Sequence, residues 1–148
     1  MKKFLALIAL IAICFSCIPD DTDYPRYHLE LIPVEDIEIP DYFVYGKTYE
    51  IILTYKKLST CHYPNGIYFY SESNSRIIAV ENVVYDRSDC STDILEEDVM
   101  QEMSFEFKVN QPSGTVYVFK FFQGFENDNQ TPIYHIIEIP VYASEEDS

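Results

Sequence analysis

Tryptophan is absent from the 148 residues, and glycine occurs only four times. So few glycines leave little from which to build a backbone cradle for phosphate. The chain has no phosphate-binding loop, no dinucleotide fingerprint and no Gly-x-Ser-x-Gly elbow for a nucleophile. Histidine is scarce too. His28, His62 and His135 lie in three separate segments, and none is spaced with cysteine or carboxylate as a zinc site requires, so no metal is assigned. Cations are few: ten Lys and Arg stand against 25 Asp and Glu, for a formal net charge of −15. That balance disfavours nucleic acid and anionic lipid headgroups as partners. No repeat period is visible, which excludes a solenoid. No apolar run reaches the roughly 20 residues of a membrane-spanning helix.

The longest apolar run, Phe4 to Phe15, has about a dozen residues and follows Lys2 and Lys3. Ser16 and Cys17 close it. A charged start, a short apolar stretch and a small residue before cysteine make a bacterial lipoprotein signal, with residues 1–16 removed and Cys17 lipidated. Cys14 is the poorer acceptor because bulky Ile13 precedes it. Losing Lys2 and Lys3 takes the net charge from −15 to −17, so the membrane contact is expected through the lipid and not through the protein surface. Residues 17–26 have prolines, acids and almost nothing to bury, and are expected to form a lipidated tether.

From Tyr27 to about Tyr142 the apolar residues recur with a period of two, the mark of strands with one buried face. Leu29 and Leu31 share a face, Pro33 interrupts, and Ile37 and Ile39 follow; a split of this kind suits an edge. Tyr49, Ile51, Leu53 and Tyr55 alternate next, then a strand around Ile67 to Tyr70 that is apolar on both faces. Ser73-Asn74-Ser75 predicts a hairpin into Arg76 to Tyr85. Asp86 to Asp98 reads as a loop with at most one helical turn capped by Thr92 or Asp93. Met103, Phe105, Phe107 and Val109 form the clearest half-buried strand, and 115–122 and 133–141 complete the set before a solvated acidic tail at 143–148. About seven short strands without a real helix predict an all-β fold: a single antiparallel sandwich of the immunoglobulin or fibronectin III type. A small closed barrel is the alternative.

With Cys17 lipidated and Cys14 removed, only Cys61 and Cys90 remain, and an exported chain with two such thiols pairs them. In the chain-entropy picture that link stabilises the fold by roughly 3 to 4 kcal/mol. A reactive thiol in Cys61-His62 is the competing reading, but adjacent strand residues face opposite ways. Carboxylates are so abundant that a pair suited to glycoside hydrolysis can be picked almost anywhere, so none is assigned. Glu126-Asn127-Asp128-Asn129 lines up oxygen ligands but lacks the glycine and distal Glu of a calcium loop, and fits a polar hairpin tip better. No catalytic residue and no cofactor is assigned. The tyrosines are mostly at strand positions, where packing accounts for them, although Tyr is also favoured in recognition surfaces.

In the segments PDYFVYGKTY (40–49), Cys61-His62, AVENVVY (79–85), Cys90, VFKFFQG (118–124) and EIPV (138–141), the chain resembles small uncharacterised lipoproteins of flavobacteria and related Bacteroidetes. The resemblance covers nearly the whole mature domain and implies a lipid-anchored sandwich with no assigned activity. In that group Asp20, Asp21 and Asp23 after Cys17 imply export to the outer face of the outer membrane. The function expected is a non-catalytic module that binds a protein or glycan at the cell surface. The alternative is a periplasmic accessory, structural or inhibitory lipoprotein without a small ligand. The binding pole is placed at the end tied by the disulfide, with Tyr63, Asn65, Phe125, Glu126 and Asp128 as its candidate residues.

Overall fold

Pro33 divides the first strand in two, and the two halves belong to different sheets. The computed structural model describes residues 25–127 and 130–147; the leader, Cys17, the tether up to residue 24 and Asp128 lie outside the described residues. Strands β1 (Tyr27–Ile32), β2 (Val34–Glu38), β3 (Phe43–Val44), β4 (Thr48–Lys56), β5 (His62–Glu72) and β6 (Ser75–Tyr85) are followed by one helical turn, α1 (Glu96–Val99). Strands β7 (Met100–Lys108), β8 (Val116–Phe125) and β9 (Pro132–Tyr142) complete the fold. No helix among the described residues is long and apolar enough to cross a membrane.

The strands form two sheets, β2-β4-β7 and a six-stranded one in which β6 is central. Along one flank β6 pairs with β5 over its whole length. Along the other, β1 pairs antiparallel with Val80–Tyr85 and β8 pairs parallel with Ser75–Ile78, so the two lie end to end against one strand. β9 and then β3 extend the sheet beyond β8. The composition of β6 explains its place. Ile78, Ala79 and Val80 are buried in succession, as befits a strand covered on both faces. β5 carries Pro64, which suits an edge.

Two expectations need correction, and the barrel alternative is not met. Among the described residues there are nine strands rather than about seven, because Pro33 splits one and the two-residue β3 adds another. The sandwich is not purely antiparallel: β6 with β8 and β3 with β9 are parallel pairs. The sheets are open, with β1, β3 and β5 as edge strands of the larger one, and so do not close into a barrel. An immunoglobulin order would place β5 beside β8, and here its hairpin partner β6 lies there instead.

The inner faces of the two sheets meet around aromatic rings. Phe43, Phe107, Tyr117 and Phe119 pack mutually with centroids 5.0 to 6.0 Å apart, and Ile32, Ile51, Leu53, Ile78 and Val80 fill the spaces between the layers. Near the start of β8 the buried Tyr117 hydroxyl accepts the backbone N–H groups of Asn110 and Gln111, both at 3.0 Å. It pins the connection between β7 and β8, as the tyrosine corner of Greek-key sandwiches does. Burial raises the pKa of Tyr55, on β4, above the usual tyrosine value. The C-terminal tail is not wholly solvated: Glu145, in a short 3-10 turn, pairs with Lys47.

Replacing Tyr117 by Phe keeps the ring and removes the acceptor of two backbone donors. Chemical denaturation is expected to show a loss of about 1–3 kcal/mol, with the circular dichroism spectrum of the folded protein unchanged.

Candidate binding surface

Alternation along β6 sorts its neighbours into two faces. Ile78 and Val80 belong to the core, so Ile77, Ala79, Glu81, Val83 and Tyr85 point away from the second sheet. Paired residues share a face, which puts Tyr63, Tyr68 and Tyr70 of β5 and Tyr27, Leu29 and Leu31 of β1 on the same outer side. Tyr63, Val83 and Leu29 make one row straight across three strands. Beside it Tyr85 sits between Tyr27 and Tyr63, with ring centroids at 6.1 and 5.6 Å, and the Lys57 ammonium lies 5.6 Å from the Tyr63 ring. Tyr27, Leu29 and Tyr63 are 63, 54 and 43% exposed. Five apolar side chains in one band on an outer face are more than scattered surface hydrophobics.

The band continues into a cavity. A shift in register between Phe122 and Gly124 disturbs the β8–β9 pairing, and Phe125 packs edge-on against Phe122 at 5.1 Å. A cavity of about 530 Å³ opens between Leu29, Leu31, Pro33, Leu58, Phe122 and Phe125. A smaller one of about 200 Å³, floored by Ala79 and walled by Tyr68, Phe122, Phe125 and Tyr134, adjoins it across Leu31 and Phe122. Aromatic walls and few polar groups suit an apolar or amphipathic ligand.

Behind this face lies a polar cluster. On the inner side of the sheet His62 reaches across β6: its Nε2 is 3.1 Å from Glu30 Oε2 and its Nδ1 2.6 Å from Ser59 Oγ. In the neutral imidazole Nε2–H donates to the carboxylate, which only accepts, and Nδ1 accepts the Ser59 hydroxyl. Serine, histidine and carboxylate in a row are the parts of a nucleophilic relay. Here Ser59 is 8% exposed and its oxygen also accepts the Cys61 N–H at 3.2 Å. Of the three, Glu30 lines the larger cavity, and Ser59 and His62 line neither. The cluster ties β1 to β5 and holds the turn before Cys61. His28, at the same end, faces Asp86 at 3.1 Å, and His135 is exposed on β9.

Cys61 and Cys90 form a disulfide with Cα atoms 5.4 Å apart. It joins the chain just before β5 to the connection after β6, reinforced by the Thr60 N–H donating to the Ser91 carbonyl. Within that connection Arg87 binds Asp89 through Nε and Nη2, and this hydrogen-bonded guanidinium holds the Asp89 carboxyl below the usual carboxylate range. Cys61, Cys90 and Asp89 are the one group of metal-type ligand atoms brought together among the described residues. Sulfurs joined in a disulfide offer no thiolate, and Asp89 is already occupied.

Of the five residues assigned to the binding pole, Tyr63 and Phe125 lie on the apolar band and its cavity. Asn65 does not stand free: it sits in the β5 bulge and donates to Glu81 at 2.5 Å. Glu126 closes the β8–β9 hairpin through its N–H to the Thr131 carbonyl. Asp128 is outside the described residues. Sequence reasoning missed Leu29, Leu58, Ser59 and Glu30 as parts of this end. Glu30 and His62 are 32 residues apart, and only the strand register reveals their proximity. Comparison with protein-family models, with curated proteins and with solved structures finds no match to this chain.

Two outcomes follow from this end of the sandwich. Replacing Cys61 and Cys90 together by Ala is expected to cost roughly 3 to 4 kcal/mol in denaturant, and non-reducing mass spectrometry of the native protein to recover one peptide pair joined by them. Asn82 is 1% exposed and neither of its amide atoms has a hydrogen-bond partner in the protein. Asn82→Val removes that desolvation cost and is expected to raise stability by about 1 kcal/mol or more, read as a higher melting temperature.

Proposed function

We propose that this protein is a bacterial lipoprotein, held in the outer membrane through a lipid on Cys17 and facing outward. Its sandwich captures a protein or glycan without chemistry of its own. The observation that carries the binding reading is the band from Tyr63 through Val83 and Leu29 to the Phe125 cavity. The tyrosines in it present rigid apolar faces with polar edges at low entropic cost, which suits recognition of either partner class. The disulfide and the Glu30–His62–Ser59 cluster fix the strands beneath, so less order has to be acquired on binding. The anchoring reading rests on the leader and Cys17, and the kinship with small flavobacterial lipoproteins on the segments quoted above. The fold we assign is of the immunoglobulin type with its β5–β6 hairpin docked in reverse order, supported by the β2-β4-β7 sheet and the Tyr117 corner.

Exposed anchors contribute little to folding. Joint Tyr63→Ala and Phe125→Ala substitution is expected to weaken capture on glycan and envelope-protein arrays at least tenfold, about 1.4 kcal/mol, with the melting temperature nearly unchanged. Equal capture by the variant sinks the band as a site. Separately, Cys17→Ser is expected to abolish palmitate labelling and remove the protein from the outer-membrane fraction or stall its processing, and protease shaving of intact cells to remove the wild-type domain.

A further inference from the structure

β5 has a neighbour on one side only. It pairs with β6 along its whole length, and among the described residues no backbone hydrogen bond outside that pairing involves residues 63–72. A bare edge invites another strand, and proteins blunt such edges with charge, proline, bulges or shortness. The other outer strands here follow that rule: β9, whose outer flank is paired only at Val141 and Tyr142, carries Pro132, Glu138 and Pro140, and β1, paired only with β6, carries Glu30. β7 displays Glu102, Glu106 and Lys108; β2 has a bulge beside Glu35 and Asp36; β3 is two residues long. On β5 only the first part is guarded, by Pro64 and the bulge between Pro64 and Gly66. Gly66 to Ser71 has no charge and no proline, and Tyr68, Phe69 and Tyr70 are 42, 43 and 48% exposed.

The ends of this stretch set a register. The bulge halts regular pairing ahead of Gly66, and the turn at Ser73, with φ of 54°, halts it after Glu72. Gly66 and Glu72 are equally far from Phe69. A two-fold axis through Phe69 therefore lays Gly66 opposite Glu72 of a second copy, Tyr68 opposite Tyr70, and Phe69 opposite itself. Opposed residues share a face, so each Tyr68 meets a Tyr70 on the outer side as an aromatic cross-strand pair. The two Phe69 rings meet on the inner side, next to Phe105, which already contacts Phe69 at 6.0 Å.

Charge selects the occupant. At −15 for the full chain, and −17 without Lys2 and Lys3, a second copy is repelled over most of the surface, and a cationic partner is drawn to the acidic regions rather than to an uncharged edge. The neutral stretch of β5 is where two such chains can approach without like charges between them. We propose that two copies of this chain pair antiparallel along β5, centred on Phe69, and join their six-stranded sheets into one.

The test uses the chain from Ile18 onward, which retains every strand, the disulfide and every contact described. Sedimentation equilibrium over a wide concentration range should show a reversible dimer. A Tyr68→Lys, Tyr70→Lys double variant, which sets like charges opposite each other, should sediment as monomer with an unchanged circular dichroism spectrum, while Ile136→Lys, on the outer face of β9, should still dimerise. Mild oxidation of Phe69→Cys should cross-link two chains through that position. A wild-type chain that is monomeric at every concentration overturns the proposal. So does a dimer that survives the β5 double variant, or one abolished by Ile136→Lys.

Discussion

The fold depends on one strand being hydrogen-bonded along both flanks. β6 has β5 on one side and, on the other, β1 and β8 placed end to end. Because β1 occupies the Val80–Tyr85 half of that flank, β8 meets only the Ser75–Ile78 half and then diverges. The register disturbance near Gln123, the turn of Phe125 against Phe122 and the cavity between β1 and β8 all lie where those two strands part. The candidate surface is thus a by-product of how the sheet is completed. It arises where two strands share one partner and neither covers the other.

Local structure was written plainly in the sequence, and the choice of neighbours was not. Period-two alternation located β4, β7, β8 and β9 to within a few residues, because each has one face against the core and one toward water. Phe107 and Val109 are buried and their neighbours Glu106 and Lys108 exposed. Pairing partners are a different matter. β5 and β6 both look apolar on two faces, and an immunoglobulin order assigns the inner place to β5. The deciding signal was present in the unbroken Ile77-Ile78-Ala79-Val80 run of β6 and in Pro64 of β5, which argue for centre and edge respectively. The change of sheet at Pro33 left no such trace, since the residues on either side of it alternate alike. The disulfide was legible because arithmetic left one pair. The His62 cluster was not, because Ser59 is local and Glu30 arrives only through the register of β1 on β6.

Most of the aromatic residues divide by chemistry, with Phe69 and Phe125 as the exposed phenylalanines. Phe43, Phe107, Phe119 and Phe121 are wholly or almost wholly buried between the sheets, whereas Tyr27, Tyr45, Tyr63, Tyr68 and Tyr70 lie at the surface with their hydroxyls able to meet water. The buried exceptions are Tyr55 and Tyr117, and Tyr117 has a structural use for its oxygen. A phenylalanine in the outer positions would present the same area with no polar edge. Tyrosine gives that outer face apolar area together with a polar edge.

Pro33 also governs how the domain bears load. Any pull on the chain upstream of Arg26 enters the sandwich at Tyr27 and falls first on the pairs between β1 and β6. Once β1 has come away, the next resistance is β2 on β4, in the other sheet. The parallel pairs of Ser75–Ile78 with β8 carry none of that first strain. Releasing β1 therefore breaks its pairs with β6, the Glu30–His62 tie and the burial of Ile32 together, so a pull from that side is met by backbone, side-chain and apolar contacts at once.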